Sequence, residues 1–435
     1  MSSTPNTMPL PETTEAFVAR YARRNFILNV IEGGLFMLGM HMMSSLTVLP
    51  YFVQQYSQEK WVQGIIPAIA NTGWLLPGLF MAPLIAHLWR RKTLILTLTF
   101  FERIPWLILG FWLFMGNTFS SSTTLIVFFS LYAVFMFSAG FNGVPWNDFI
   151  SRIIPERMWG TFFGIQFGVG SLLGIAGAAV ATRVLDNTAL EFAGYTLIPA
   201  YAFPYNIGLL SLTCFALMAV AYIFLVFTVE PAIPPQPKQP FWALIRDMPA
   251  LLRNDAAFLR YIVAYACISV GMMGHSFVTA SALTQFNVDG SMVGLFTVVL
   301  LAAQTLGNVV LGTLADRWGR RRVIILGSSL GMVALLLPWI AVDATWYYPM
   351  YVLGGFAMGG NMAANSALVF SFASTDKRAS YIAVANLFNT PLLLIAALAA
   401  GGIAELYGFN MLFVGLVIIG LGGLALLKWG VANNR

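Results

Sequence analysis

Twelve apolar runs, each long enough to cross a lipid bilayer as a helix, constrain this chain more than any other feature of its sequence. A helix needs about 20 apolar residues to span the hydrocarbon core, and short polar stretches separate these runs. The sequence therefore predicts an all-α membrane protein. We number the runs as spans 1 to 12 and expect them at residues 25–53, 61–87, 93–116, 121–150, 157–183, 205–228, 257–284, 291–315, 322–342, 345–372, 379–404 and 408–430.

The distribution of basic residues supports this count. Assigning alternate loops to the cytoplasm places twenty of the 23 lysines and arginines there, while Lys60 and Arg183 fall outside and Arg103 falls within span 3. Basic loops are retained on the cytoplasmic side of membrane proteins. We therefore predict cytoplasmic termini, and a multi-pass protein of the bacterial inner membrane or the plasma membrane.

The composition excludes several classes of protein. With 59% hydrophobic and 9% charged residues, the chain is far too apolar for a soluble domain of 435 residues. The net charge of +6 follows from the cytoplasmic loops, so we expect no nucleic-acid partner. No Gly-Lys-Ser phosphate loop, nucleophile elbow or metal-ligating cluster is present, which argues against an ATP-driven pump, an enzyme or a bound cofactor.

The chain divides into two halves of six spans. Five prolines between residues 231 and 240 cannot continue a helix, so they mark a linker that also carries a short interfacial helix. The predicted organisation is a cytoplasmic N-terminal tail (1–24), a first six-helix bundle (25–229), a cytoplasmic linker (230–256), a second bundle (257–430) and a cytoplasmic C-terminal tail (431–435).

The stretch from Gly312 to Arg322, GTLADRWGRRR, forms a basic hairpin between spans 8 and 9. Gly312 allows close helix approach, Asp316 places a carboxylate at the end of a helix, and Gly319 permits the positive φ that a tight reversal needs. An ordinary basic loop would explain the arginines, but it would not explain the aspartate and the two glycines.

This stretch resembles the signature loop of the major facilitator superfamily, GxLaDrxGrrr. The resemblance implies two pseudo-symmetric six-helix bundles that bind a small molecule between them and work by alternating access. The family carries the loop in each half, but the first copy is degraded here: Trp89 corresponds to Trp318, an offset of about 229 residues. The positions that match are Gly312, Leu314, Asp316, Arg317, Gly319, Arg320 and Arg321, and those of the degraded copy are Pro83, His87, Arg90 and Arg91.

Pseudo-symmetry with the family predicts a gate at this loop. We expect the carboxylate of Asp316 to approach the start of span 5, around residues 156–160, where free backbone N–H groups attract an anion. His87 stands where the first-half aspartate would be, so the mirror contact to span 11 should be weak.

Charged groups inside the spans are the candidates for proton coupling, because such groups are costly in a bilayer. Glu32 in span 1 shares a helix face with Asn29, whereas His41 points to the opposite face, and we favour Glu32 for the cavity. Glu102 and Arg103 lie midway along span 3. A buried ion pair of Arg103 with Glu32 or Glu102 is the structural alternative to a proton relay. His275 in span 7 is a further candidate.

Polar and methionine side chains could line the substrate cavity, although most methionines and aromatics belong to the core and the lipid face. A glycine-rich section of span 5, residues 170–178, is similar to a motif of drug and proton antiporters, but plain helix packing explains it equally well. The cavity candidates are Asn29, Met43, Asn142, Gln166, Met272, Gln304, Asn361, Asn365 and Asn386.

These features favour a monomeric secondary transporter that exports an amphipathic organic molecule in exchange for protons. The scarcity of cavity charge disfavours polyanionic substrates. Two alternatives stay open: uptake of a small polar solute such as a sugar or nucleoside, and a transporter-like receptor or assembly factor that carries no flux.

Overall fold

The computed structural model describes residues 13–85, 87–115, 119–192, 195–234, 246, 249, 252–369 and 378–430. The first twelve residues, most of the predicted linker with its interfacial helix, and the expected C-terminal tail 431–435 lie outside this part of the chain. Within it, nine helices are long and apolar enough to cross a membrane. The predicted class of all-α membrane protein is therefore confirmed.

Each of the twelve predicted spans coincides with helix among the described residues. The last helical segment, Arg378–Gly430, contains both span 11 and span 12. It is kinked at Gly408, whose φ is +83°. The helices that are at least nine residues long are Thr14–Met42, Val48–Tyr56, Ile65–Ile85, Lys92–Phe114, Ser121–Ile153, Trp159–Leu185, Tyr205–Val226, Ala256–Met272, Val278–Phe286, Gly290–Trp318, Arg320–Ala334, Tyr347–Val369 and Arg378–Gly430.

Two local features differ from the sequence expectation. The second half of the predicted N-terminal tail is helical and continuous with span 1, and the Thr13 side chain caps this helix by accepting from Ala16 N–H over 3.3 Å. Between spans 5 and 6, Leu190–Phe192 and Tyr195–Ile198 form a short antiparallel hairpin. Aromatic and β-branched residues favour this extended structure outside the helices.

Helix packing repeats between the two halves. In the first bundle, span 1 packs against spans 5 and 6, and span 4 packs between spans 2 and 3. In the second bundle, span 7 packs against the helix that contains spans 11 and 12, and span 10 packs against spans 8 and 9. Large apolar clusters fill the interior of each bundle.

Spans 1 and 7 are both interrupted, and at equivalent places. Span 1 leaves the α-helical path between Met42 and Val48, and span 7 contains a 3-10 turn, Met273–Phe277. The offset of about 229 residues that relates the two signature loops also relates these two breaks. They lie at the junction of the halves, where the Thr279 hydroxyl donates to the carbonyl of Leu46.

The two halves join at the end of the molecule away from the termini, which we call the closed end. There the start of span 2 meets the end of span 11: a Cβ built on Gly64 would lie 2.7 Å from Ala397 O. The end of span 5 also meets the start of span 8, where a Cβ on Gly290 would lie 2.6 Å from Leu185 O. Because only glycine allows such approach, both seams depend on small residues.

Candidate functional site

A cluster of three ionisable side chains lies inside the first bundle. Arg103 of span 3 approaches Glu32 of span 1, with 3.4 Å between Nη2 and Oε1, and Glu102, with 4.0 Å between Nη1 and Oε2. All three residues are buried, at 7% exposure for Glu32 and 3% for each of the others. The structure thus brings together the three candidates that the sequence placed in spans 1 and 3.

The guanidinium of Arg103 is held mainly by backbone carbonyls. Its Nε donates to Met218 O over 2.6 Å and its Nη1 to Thr99 O over 3.0 Å, while its Cζ lies 5.7 Å from the centre of the Tyr222 ring. These contacts fix the cation between spans 3 and 6 independently of either carboxylate. Of these three hydrogen bonds of Arg103, the one to Glu32 is the longest and therefore the weakest.

Asn142 of span 4 completes the cluster. Its Nδ2 lies 2.9 Å from the Thr99 hydroxyl and 3.4 Å from Glu102 Oε2, and its buried Oδ1 has no hydrogen-bond partner. Two carboxylates therefore share a single guanidinium in a water-poor environment. A second negative charge there would be uncompensated, which is costly in the interior of the bundle.

Asn29 and Gln166 form a neighbouring polar contact between spans 1 and 5. The Gln166 side chain donates to Asn29 O over 3.1 Å, and the buried side-chain oxygens of both residues have no partner. Asn29 itself donates to Asn25 O over 2.7 Å. Asn25 binds Val229 through two hydrogen bonds of 2.9 Å, which ties span 1 to the chain after span 6.

The two histidines in the spans lie against glycines of neighbouring helices. His41 packs on span 5, where a Cβ on Gly174 would lie 2.4 Å from its ring, on a different side of span 1 from Glu32. His275 is buried in the second bundle, with its Nε2 3.1 Å from Gly331 O and its ring 2.6 Å from the place of a Cβ on Gly354. The structure does not bring His275 to the cluster of Glu32.

The signature loop has the predicted turn. Gly319 adopts φ +93° between the helices of spans 8 and 9, so its positive φ explains the glycine. Among the described residues, a Cβ on Gly312 would meet no atom within 4 Å, so the close helix approach expected at this glycine is not found there. The backbone of Asp316 is helical, but its side chain lies outside the described structure, and the expected contact with span 5 stays a prediction. Arg317 and Arg320 are exposed, and Arg321 donates to Lys428 O.

The degraded first-half loop is held by a different set of charges. Arg91 is 3% exposed, and its Nε donates to Asp148 Oδ2 over 2.8 Å; Asp148 also accepts from Arg152 over 2.9 Å. His87 has a buried Nδ1 that finds no partner among the residues that the structure describes. The buried Glu230 accepts from the backbone N–H groups of Arg91 and of the next residue, over 2.8 and 2.9 Å.

Sequence reasoning missed the role of Glu230, which it had treated as the first residue of the linker. The available signal was an acidic residue beside the free N–H groups at the start of span 3. It also missed hydroxyl contacts at the junction of the halves. There Thr47 bonds Thr297 across the seam, and Thr279 bonds the Tyr351 hydroxyl.

The remaining cavity candidates lie in different surroundings. Met43 is 2% exposed in the core of the first bundle, and Met272 packs near the position of Gly331. Gln304 lies where span 8 closely approaches span 10, and Asn386 is half-buried, with its backbone carbonyl bonded to the Thr390 hydroxyl over 2.7 Å. The side chains of Asn361 and Asn365 lie outside the described structure.

The glycine-rich section of span 5 packs against span 1. A Cβ on Gly170 would lie 3.0 Å from Met37, and one on Gly177 would lie 2.5 Å from Leu38 O. Gly174 meets His41 in the same way, so three glycines at near-helical spacing form one groove. Close packing of two helices explains these glycines without a hinge.

Comparison with known proteins agrees with this architecture. Residues 261–433 match the family model described as Major Facilitator Superfamily. No curated protein sequence matches the chain. The fold is similar to a mutant of the nucleoside transporter NupG, with a TM-score of 0.71, 12% identity, and coverage of 92% of this chain and 99% of that one.

Two further solved structures share the fold. One is a bacterial homolog of the human lysosomal transporter Spinster in an inward-facing and unoccupied conformation, with a TM-score of 0.66, 14% identity, and coverage of 94% and 96% of the two chains. The other is a peptide transporter POT in complex with sulfate, with a TM-score of 0.69, 12% identity, and coverage of 96% and 98%. The second half of the chain therefore matches the Major Facilitator Superfamily in sequence, and the chain as a whole shares its fold with these solved structures.

Proposed function

We propose that the protein is a proton-coupled secondary transporter that exports an amphipathic organic molecule by alternating access. One observation carries this proposal: two buried carboxylates, Glu32 and Glu102, share the single cation of Arg103. A cluster with one carboxylate in excess binds one proton reversibly when its surroundings change. Alternating access supplies such a change, because it exposes the interior of the bundle to each side in turn.

Glu32 is the carboxylate that we assign to the travelling proton. Its only described ion-pair partner is Arg103, at 3.4 Å, whereas Glu102 is also bonded by Asn142. Protonation of Glu32 would weaken the link between spans 1 and 3 without releasing Arg103 from its two carbonyl acceptors. Span 1 could then move relative to span 3, which would couple the proton to the shape of the first bundle.

The proposed orientation places the termini in the cytoplasm. With the halves joined at the closed end, the cavity would then open inward, a state that also describes the Spinster homolog. Cysteines introduced at positions 5, 238 and 433 should react with an impermeant reagent from one common side. Labelling of position 238 from the outside would overturn this topology.

Flux in proteoliposomes tests the coupling. We expect that an imposed proton gradient drives transport of ethidium, an amphipathic cation, and that Glu32→Gln abolishes gradient-driven transport while ethidium still raises the melting temperature. Glu15→Gln, at an exposed position near the N-terminus, is the matched control and should behave as wild type. Unchanged pH-dependent transport in Glu32→Gln would overturn the assignment and favour Glu102 or His275.

A second candidate function is uptake of a polar solute such as a nucleoside. Its support is the fold shared with the nucleoside transporter NupG, together with the unpaired amide oxygens of Asn29, Asn142 and Gln166. Uridine in place of ethidium distinguishes the two functions in the same vesicles. Absence of flux with both compounds would favour the third alternative, a receptor or assembly factor.

A further inference from the structure

The two seams of the closed end differ in how the start of the partner helix is capped. The free N–H groups at a helix start need acceptors, and a side chain just before the helix commonly supplies one. Span 8 follows this pattern, because Asp289 accepts from Met292 N–H over 2.8 Å within the same helix. Span 2 departs from it.

At the start of span 2, the residue in the capping position does not cap the helix. Glu59 has extended backbone angles, but its carboxylate accepts from the Trp61 indole over 2.6 Å and makes no capping bond. The backbone N–H groups of Lys60 and Trp61 donate instead to Oε2 of Glu405, the second over 3.3 Å. Glu405 belongs to span 11, so one half of the molecule caps a helix of the other.

The position of Glu405 in its own helix makes this contact depend on closure. It lies one turn before Gly408, where span 11 ends. A carboxylate near the C-terminus of a helix is repelled by the partial negative charge there, and a carboxylate at an N-terminus is attracted. Glu405 is therefore in unfavourable surroundings when the halves part and in favourable surroundings when they meet.

Two neighbouring contacts hold the Glu405 carboxylate against the start of span 2. The Nζ of Lys60 lies 5.8 Å from the centre of the Phe409 ring in span 12. A Cβ on Gly401 would lie 2.7 Å from Trp61 O, so the backbones of spans 2 and 11 touch directly beneath the cap. Separation of the seam removes the cap and the backbone packing together.

We propose that Glu405 is the latch of the closed end, a positioning residue that sets the balance between the two conformations of the transport cycle. It acts by capping span 2 across the seam, and it requires neither proton binding nor substrate. The contact lies far along the chain from the cluster of Glu32 and would hold for any transported molecule.

Distance measurement between two spin labels tests the latch without substrate or gradient. Labels at introduced cysteines 122 and 342 report its opening in a chain whose native cysteines are replaced by alanine. Both positions are exposed at the closed end, the first in the opening turn of the span 4 helix and the second in the loop between spans 9 and 10. Glu405→Gln should raise the open-to-closed ratio by about fivefold to tenfold, the usual effect of losing a charged cap. Glu59→Gln is the matched control and should leave the ratio unchanged.

A second pair of variants removes the donor instead of the acceptor. Proline is tolerated at the first position of a helix, and the backbone of Glu59, with φ −73° and ψ 118°, suits a residue before proline. Lys60→Pro deletes the first of the two N–H groups that donate to Glu405 and should open the closed end in the same direction as Glu405→Gln does. Lys60→Ala keeps that N–H and should stay closer to wild type.

The combination with Glu405→Gln decides the proposal. Lys60→Pro should add little further opening in that background, since both changes weaken the same cap: the first removes a donor and the second removes the negative charge of the acceptor. Equal ratios in Glu405→Gln and Glu59→Gln, with both proteins monodisperse, would overturn it. The proposal would also be overturned if Lys60→Ala opened the closed end as much as Lys60→Pro does. The seam would then be closed by the Lys60 amine and not by the cap.

Discussion

The two bundles share a fold but differ in what they bury. Among the described residues, the charged side chains classed as buried all belong to the first half: Glu32, Arg91, Glu102, Arg103 and Glu230. The second half buries neutral polar groups instead, such as His275, Thr279 and Ser281. Hydroxyl groups there bond one another, as Ser281 does with Tyr347 over 2.9 Å. Helix packing alone therefore does not determine where charge is placed.

The signature loops show the opposite distribution. The second half keeps the complete motif with its glycine turn, while the first half has lost the aspartate and both glycines. In the first half, Arg91 is paired with Asp148 and the helix start is capped by Glu230. The first half thus replaces a loop motif by a part-buried ion pair and a buried helix cap, which hold spans 3, 4 and 6 together at the end that carries the termini.

Removing the cation of the first bundle should have the largest effect. Arg103→Leu leaves two buried carboxylates without their cation, and breaking a buried pair in this way costs about 3–5 kcal/mol. We expect a large fall in the melting temperature in detergent, measured by intrinsic fluorescence. Arg183→Leu, at an exposed arginine, is the control and should change little.

A compensated variant separates charge from packing in the same cluster. Adding Glu32→Gln and Glu102→Gln to Arg103→Leu removes all three charges, and it should recover a large part of the lost stability. No recovery would show that Arg103 acts through its bonds to Met218 O and Thr99 O, and the contrast between the bundles would then concern packing instead of charge.

The second bundle should be sensitive to volume where the first is sensitive to charge. In Gly354→Ala, the new methyl group would lie 2.6 Å from the His275 ring, and overpacking of this kind costs about 1–3 kcal/mol. Gly402→Ala is the matched control, because a Cβ there meets no atom within 4 Å. The melting temperatures of Gly354→Ala and Gly402→Ala should be measured both in the wild-type background and in the His275→Ala background.

Coupling between the two positions provides the test. If the methyl group clashes with the imidazole, Gly354→Ala should destabilise His275→Ala much less than it destabilises wild type. Equal losses in both backgrounds would place the strain on the backbone of span 10, and His275 would lose its role as the residue that fixes this contact.

The sequence predicted the spans well because a helix that crosses a membrane requires a long apolar run, and such runs can be recognised in the sequence directly. It also offered an ion pair of Arg103 with either Glu32 or Glu102, since buried charges require partners and few were available, but not that both carboxylates would approach the same guanidinium. It could not predict Glu230 or Glu405, whose roles arise from backbone N–H groups of helices distant in the chain. Such contacts depend on how the bundles pack, so neither hydropathy nor motif spacing predicts them.

The smallest expected effect concerns helix caps in the two halves. Glu230→Ala removes a buried acceptor of two backbone N–H groups at the start of span 3 and should cost about 1–2 kcal/mol. Asp255→Ala removes the local cap of span 7, a bond of 2.9 Å from Phe258 N–H, together with a 3.0 Å bond from the Tyr381 hydroxyl, and should cost about 1 kcal/mol. Melting temperatures should follow this order, with the exposed Glu156→Ala as the control. A larger loss for Asp255→Ala would contradict the view that the first half depends more on buried charge, because the long-range cap would then contribute less than the local one.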